Sequence, residues 1–124
     1  MTFFQFVTCI IERANATGKE LSSYEAAYAL NDHHWSPFYY QLLPCTVNYT
    51  LIGEFEHFQE DSTAAIELFN MNATVKKTNP TKSDKTLAEY FSELNKELVE
   101  AVRVLYSKDF ELFGYDDTPP YHFD

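Results

Sequence analysis

Apolar residues recur along this chain with two periods, and the change from one to the other predicts most of its elements. In Thr2–Ala14, Phe3, Phe6, Val7, Ile10 and Ile11 fall on one helical face. Thr2 and Gln5 stand as N-cap and N3 of a capping box, which marks where that helix begins. A polar connection containing Gly18 follows over Asn15–Ser23, and Tyr24–Leu30 has room for one or two helical turns. Asn31–Pro44 mixes polar and aromatic residues with two prolines and is predicted to be a loop. In Cys45–Ile52 the period drops to two: Val47, Tyr49 and Leu51 alternate with Thr46, Asn48 and Thr50, which predicts a strand. Gly53 then lets the backbone turn or come close to a neighbour.

Helical periodicity resumes over Phe58–Asn72, with Ala65, Ile66, Leu68 and Phe69 as the side expected to be buried. Glu60 and Asp61 lie in its first turn, where carboxylates favour the positive end of the helix dipole. Ala73–Thr86 is a hydrophilic loop. Leu87–Phe113 carries one or two helices with Leu98, Val102, Leu105 and Tyr106 on the apolar face, and Gly114 is placed to cap the last of them. Asp116–Asp124, with Pro119 and Pro120, is expected to be a flexible tail after a single domain segment spanning residues 1–115. One strand among helices leaves its backbone donors and acceptors unpaired on both sides. The inventory therefore reads as part of a larger α/β domain: helix-rich, with one principal strand.

Composition narrows the function classes. With 124 residues, 45% hydrophobic and 17% aromatic, the chain is too apolar to be disordered for most of its length. A net charge of −10 argues against nucleic acid as a partner, because binding phosphates requires a basic face. No stretch approaches the ~20 apolar residues of a membrane span. The apolar start lacks the basic region of a signal peptide and is read as helix. Cys9 lies among apolar residues and is expected to be a buried thiol. Three N-x-T sequons occur, at Asn15, Asn48 and Asn72. Asn15 and Asn72, beside helix ends, are the expected glycosylation sites, since a glycan on Asn48 would crowd the predicted strand.

The densest titratable group is Asp32, His33 and His34, followed at once by Trp35. Imidazole titrates near neutrality and can take a proton from a sugar hydroxyl, while an indole can stack on a sugar face. The other reading makes His34 and Trp35 packing residues that lock the loop. Adjacent histidines do not share one metal readily, and no ligand set at zinc spacing is present, so no metal is expected. Glu54, Glu56, Glu60 and Asp61 read as a solvated helix entrance. Lys76, Lys77, Lys82 and Lys85 form the one basic cluster suited to an anionic glycan, although such a run is usually a solvated loop. Ser-His-Asp spacing, a nucleophile elbow and a glycine-rich phosphate loop are all absent.

The order of these features carries a resemblance. The loop NDHHWSPFYYQLLPC (Asn31–Cys45) runs into TVNYTLIGEFEHFQED (Thr46–Asp61), and the chain closes with DFELFGY (Asp109–Tyr115). It resembles the C-terminal portion of the Golgi carbohydrate sulfotransferases, the family of the chondroitin and dermatan 4-O-sulfotransferases and the HNK-1 sulfotransferase. There a D-x-H-W-x-P loop leads through Pro-Cys to a strand, and D-F-x-x-F-G-Y ends the domain. The resemblance implies a P-loop-like α/β fold and transfer of a sulfuryl group from phosphoadenosine phosphosulfate to a glycan hydroxyl. It implies a glycan acceptor touched by His34, Trp35, Lys76 and Lys77, and a Golgi, lumen-facing location; a cytoplasmic one would follow if Met1 began the protein without a signal. The family's phosphosulfate-binding motifs, a Lys-bearing loop and an R-D-P-x-x-R-x-x-S-A-Y segment, have no counterpart here, so no catalytic or cofactor-binding residue carries over. Leu42 stands where the family often has a cysteine. The competing reading is a non-catalytic glycan-binding or interaction module derived from that family.

Overall fold

The computed structural model describes residues 1–76 and 83–120, and these form helices and connecting segments with no strand. Two units pack separately: residues 1–44 with 84–120, and residues 45–76 with Ser83.

The first unit is built on α1 (Phe3–Asn15), whose start is the predicted capping box. The Thr2 hydroxyl accepts from the Gln5 N–H at 3.1 Å and the Gln5 side chain accepts from the Thr2 N–H at 2.9 Å. α1 buries Val7, Ile10, Ile11 and Ala14 against α2 (Tyr24–Leu30), where Ala26 and Leu30 are fully enclosed. Small residues at the contact, Ala14 and Ala26, let the two helices approach closely. α2 ends on Asn31 in the left-handed conformation (φ 48°) and releases the chain into the loop.

The final third carries three helices where one or two were expected. α5 (Leu87–Phe91) has its own capping box from Thr86 and Glu89, α6 (Lys96–Leu105) starts on an Asn95 cap, and α7 (Ser107–Phe113) ends on Gly114 at φ 71°. (α3 and α4 precede them in the chain and are described below.) Leu94, Val99 and Leu105 complete the core with α1 and α2. Of the predicted apolar face, Leu105 is fully enclosed and Leu98, Val102 and Tyr106 pack half-buried on the core; Val99 is buried beside them. The described part of the tail is tied down at one point, Asp117 accepting from the Arg103 guanidinium at 2.9 Å.

Cys45–Ile52 is not a strand but irregular, exposed chain. The alternation is real, yet a strand exists only by exchanging hydrogen bonds with a neighbour, and the described residues supply none. With the strand goes the steric objection to Asn48, which is exposed. The second unit continues through a 3₁₀ turn, Phe55–His57, into α4 (Phe58–Leu68). That helix buries no residue: Leu68 and Phe69, expected inside, are 58% and 54% exposed. A single helix and a turn offer no second layer to bury against. Cys9 is exposed as well, because it lies off the Val7–Ile10–Ile11–Ala14 stripe that faces the core.

Candidate functional site

The loop Asn31–Pro44 is more ordered than its composition predicts. It contains a short helix, α3 (Phe38–Leu42), closed by Leu43 in the left-handed conformation. Helix starts expose backbone N–H groups that need acceptors. Pro37, the residue before α3, has no side-chain acceptor to offer. Asp109 of α7 supplies it from 71 residues away: its two carboxylate oxygens accept from the Phe38 and Tyr39 N–H groups, each at 2.7 Å. A carboxylate there also complements the helix dipole. Asp109 is buried, and burial pushes its carboxyl above the ordinary range, while the two N–H bonds pull it down.

Neighbouring bonds secure the rest of the loop. The Tyr106 hydroxyl donates to the Trp35 carbonyl, and burial beside Asp109 pushes that phenol up to about 12. The Tyr39 hydroxyl donates to the Ser23 carbonyl at 2.8 Å and is likewise raised to about 12, first by burial. Lys108 sits over the Tyr39 ring at 4.9 Å. The Gln41 amide donates to the His33 and Ser36 carbonyls, and the Ser36 N–H donates to the Asp32 carbonyl.

Within this frame the predicted residues divide. Trp35 is half-buried, its ring edge-on to Phe6 of α1 at 5.3 Å, and it packs on the core cluster. Its Nε1 is buried without a hydrogen-bond partner among the described residues. His34 does the opposite: its side chain is 86% exposed. Its Nδ1 lies 2.7 Å from Asp32 Oδ1, which also accepts the His34 backbone N–H at 2.8 Å. These two bonds hold the Asp32 carboxyl below its ordinary range, the backbone bond contributing most. His33 is exposed, and no group of three or more potential metal ligands gathers among the described residues.

Of the basic cluster, Lys76 is exposed in the second unit, Lys85 pairs with Glu93 at 2.6 Å in the first, and Lys77 and Lys82 lie outside the described residues. Asn15 and Asn72 are both exposed. In the second unit, Asp61 Oδ2 accepts the Glu54 N–H at 2.7 Å, across the backbone of Gly53. That carboxylate thus closes a turn rather than standing free at a helix entrance. Sequence reasoning missed Asp109 and the Tyr106 hydroxyl. The available signals were a helix start preceded by proline and the Asp that opens DFELFGY.

The sulfotransferase family profile matches residues 1–116. The chain belongs to the sulfotransferase family. It is 27% identical to carbohydrate sulfotransferase 11 of Mus musculus, over 84% of this chain and 35% of that protein. Against carbohydrate sulfotransferase 10 of Xenopus laevis the identity is 31%, over 69% of this chain and 26% of the relative. The chain thus spans about a third or less of the length of these sulfotransferases. No solved structure matches it significantly. Among the described residues, no helix is long and apolar enough to cross a membrane.

A family co-substrate rich in phosphate needs converging cations and backbone N–H groups. The arginines described here are engaged elsewhere: Arg13 with the Leu30 carbonyl, Arg103 with Glu100 and Asp117. The N-termini of α1, α2, α5 and α6 are capped by their own Thr2, Ser23, Thr86 and Asn95, and that of α3 by Asp109. These arginines and helix starts do not fit a phosphosulfate cradle.

Proposed function

We propose that this chain forms the acceptor side of a carbohydrate sulfotransferase, within a P-loop-like α/β domain that moves a sulfuryl group from phosphoadenosine phosphosulfate to a glycan hydroxyl. The observation that carries the reading is the division of the loop. Its backbone is clamped by Asp109 and Tyr106, while the His34 ring is left open to solvent beside Trp35. A clamped loop presenting an imidazole next to an indole suits a sugar hydroxyl, by proton acceptance and by stacking. Lys76 and Lys77 are proposed separately, as basic residues suited to an anionic glycan.

The same reading makes this polypeptide alone inactive in sulfuryl transfer. The described arginines and the starts of α1, α2, α3, α5 and α6 are committed to other partners, and each missing preorganised donor typically costs about a hundredfold or more in rate. Family membership further supports a Golgi, lumen-facing setting with glycans on Asn15 and Asn72. Calorimetric titration of the 124-residue chain with the desulfated nucleotide product, and separately with a desulfated chondroitin oligosaccharide, tests both halves. Expected are no binding of the nucleotide and measurable binding of the oligosaccharide. Micromolar nucleotide binding, or labelled sulfate transferred to the glycan, overturns the inactivity. Absence of glycan binding overturns the acceptor-side reading and leaves the interaction module.

A further inference from the structure

Asp32 makes more of a bond than its turn requires. An Asx turn needs only the bond from the His34 N–H to the Asp32 side chain. Here the same oxygen also meets His34 Nδ1, at 2.7 Å. The neutral imidazole has one N–H and one bare nitrogen, and the partner of one nitrogen decides which is which. A carboxylate on Nδ1 can only accept, so Nδ1 carries the hydrogen and Nε2 keeps its lone pair. Nε2 has no hydrogen-bond partner among the described residues, on a side chain that is 86% exposed. Asp32 is itself fixed: its carbonyl accepts the Ser36 N–H at 2.9 Å, and Gln41 ties His33 and Ser36 together.

We propose that Asp32 is the positioning residue of this loop, holding His34 as the Nδ1–H tautomer so that Nε2 accepts a proton from an acceptor hydroxyl. The proposal rests on the acceptor-side reading above. The step is a proton transfer: the hydroxyl hydrogen passes to the Nε2 lone pair, and the O–H electron pair stays on the sugar oxygen. The imidazolium so formed keeps its Nδ1–H bond to the Asp32 carboxylate, which offsets the new charge. Without Asp32 the ring is free to place its hydrogen on Nε2, and a hydroxyl then meets a donor where it needs an acceptor.

The test is ¹⁵N NMR of the histidine ring in the 124-residue chain at a pH where the imidazole is neutral, with the His34 signals assigned by H34Q. Expected in the wild type is a protonated Nδ1 and a bare Nε2. D32A should revert to the Nε2–H form preferred by free imidazole, whereas D32N, whose amide oxygen accepts in the same place, should keep the wild-type pattern. Binding of the desulfated oligosaccharide should weaken roughly three- to tenfold in D32A. An Nε2–H wild type overturns the proposal, and so does a D32A ring that keeps Nδ1–H. If D32A disturbs signals beyond the loop, the wild-type pattern and D32N still decide. A wild type in the Nδ1–H form whose ring signals do not respond to the oligosaccharide upholds the tautomer and overturns the acceptor-side reading instead.

Discussion

Truncating Asp109 to alanine should unfasten the loop that carries His34 and Trp35. The carboxylate accepts two backbone N–H groups at 2.7 Å, and the Tyr39 group is fully buried. Hydrogen bonds to a charged partner contribute about 1.5–3 kcal/mol each, a gross figure of roughly 3–6 kcal/mol for the pair. Against this stands the cost of burying the carboxylate, visible in its raised pKa and relieved by the substitution. The net expectation for D109A is a loss of about 2–4 kcal/mol, a large share of the stability of a small domain. Asparagine has one acceptor oxygen in place of two, so D109N should lose roughly half as much. Urea unfolding gives the global number. Amide exchange at Phe38 and Tyr39 reports whether α3 opens locally before the rest. A D109A midpoint shift worth less than about 0.5 kcal/mol, with unchanged m value and unchanged protection at both amides, would refute the clamp.

Three further outcomes follow from the same geometry. Tyr106→Phe removes the donor to the Trp35 carbonyl and should cost about 1 kcal/mol in urea unfolding, with the loss centred on the loop; no change in exchange near Trp35 would count against it. Gly53→Ala places a Cβ 3.2 Å from Asp61 Cβ and 3.3 Å from its Oδ2. Asp61 must then give by a few tenths of an ångström, which should weaken its bond to the Glu54 amide and cost up to about 1 kcal/mol; amide exchange at Glu54 and urea unfolding check it, and no change in either counts against the contact. Burial raises the Asp109 pKa above 3.8, so the stability tied to it is complete below that value and is lost as pH rises through the folded value. The stability difference between wild type and D109N should therefore narrow in paired urea melts as pH rises from 3.8 through the folded value, and a widening difference contradicts the assignment.

What was legible in the sequence was local. The Thr2–Gln5 box and the Gly114 stop depend on residues within a turn of one another, and the chain folds as those signals say. The strand failed for the complementary reason. Alternation in Cys45–Ile52 specifies which side chains would share a face, but pairing requires a second segment that alternation cannot supply. The same limit hid the clamp. Asp109 meets Phe38 and Tyr39 across some 70 residues of chain, and nothing near Pro37 announces where its missing acceptor lies. At His34 and Trp35 the pattern located the group but not its division of labour, with one ring turned out and the other laid on Phe6.

That division bears on how the two ends of the resemblance belong together. The D-x-H-W-x-P loop and the D-F-x-x-F-G-Y ending lie far apart in sequence, yet the structure makes each the completion of the other. Pro37 stiffens the loop but cannot cap the helix that follows it, and the carboxylate that opens the closing motif caps it instead. Tyr106, three residues earlier, holds the carbonyl of Trp35 itself. A loop fixed at its carbonyls and amides by another element can present a side chain to a ligand without collapsing. The His34 ring, held by Asp32 and open to solvent, is the side chain left to do so.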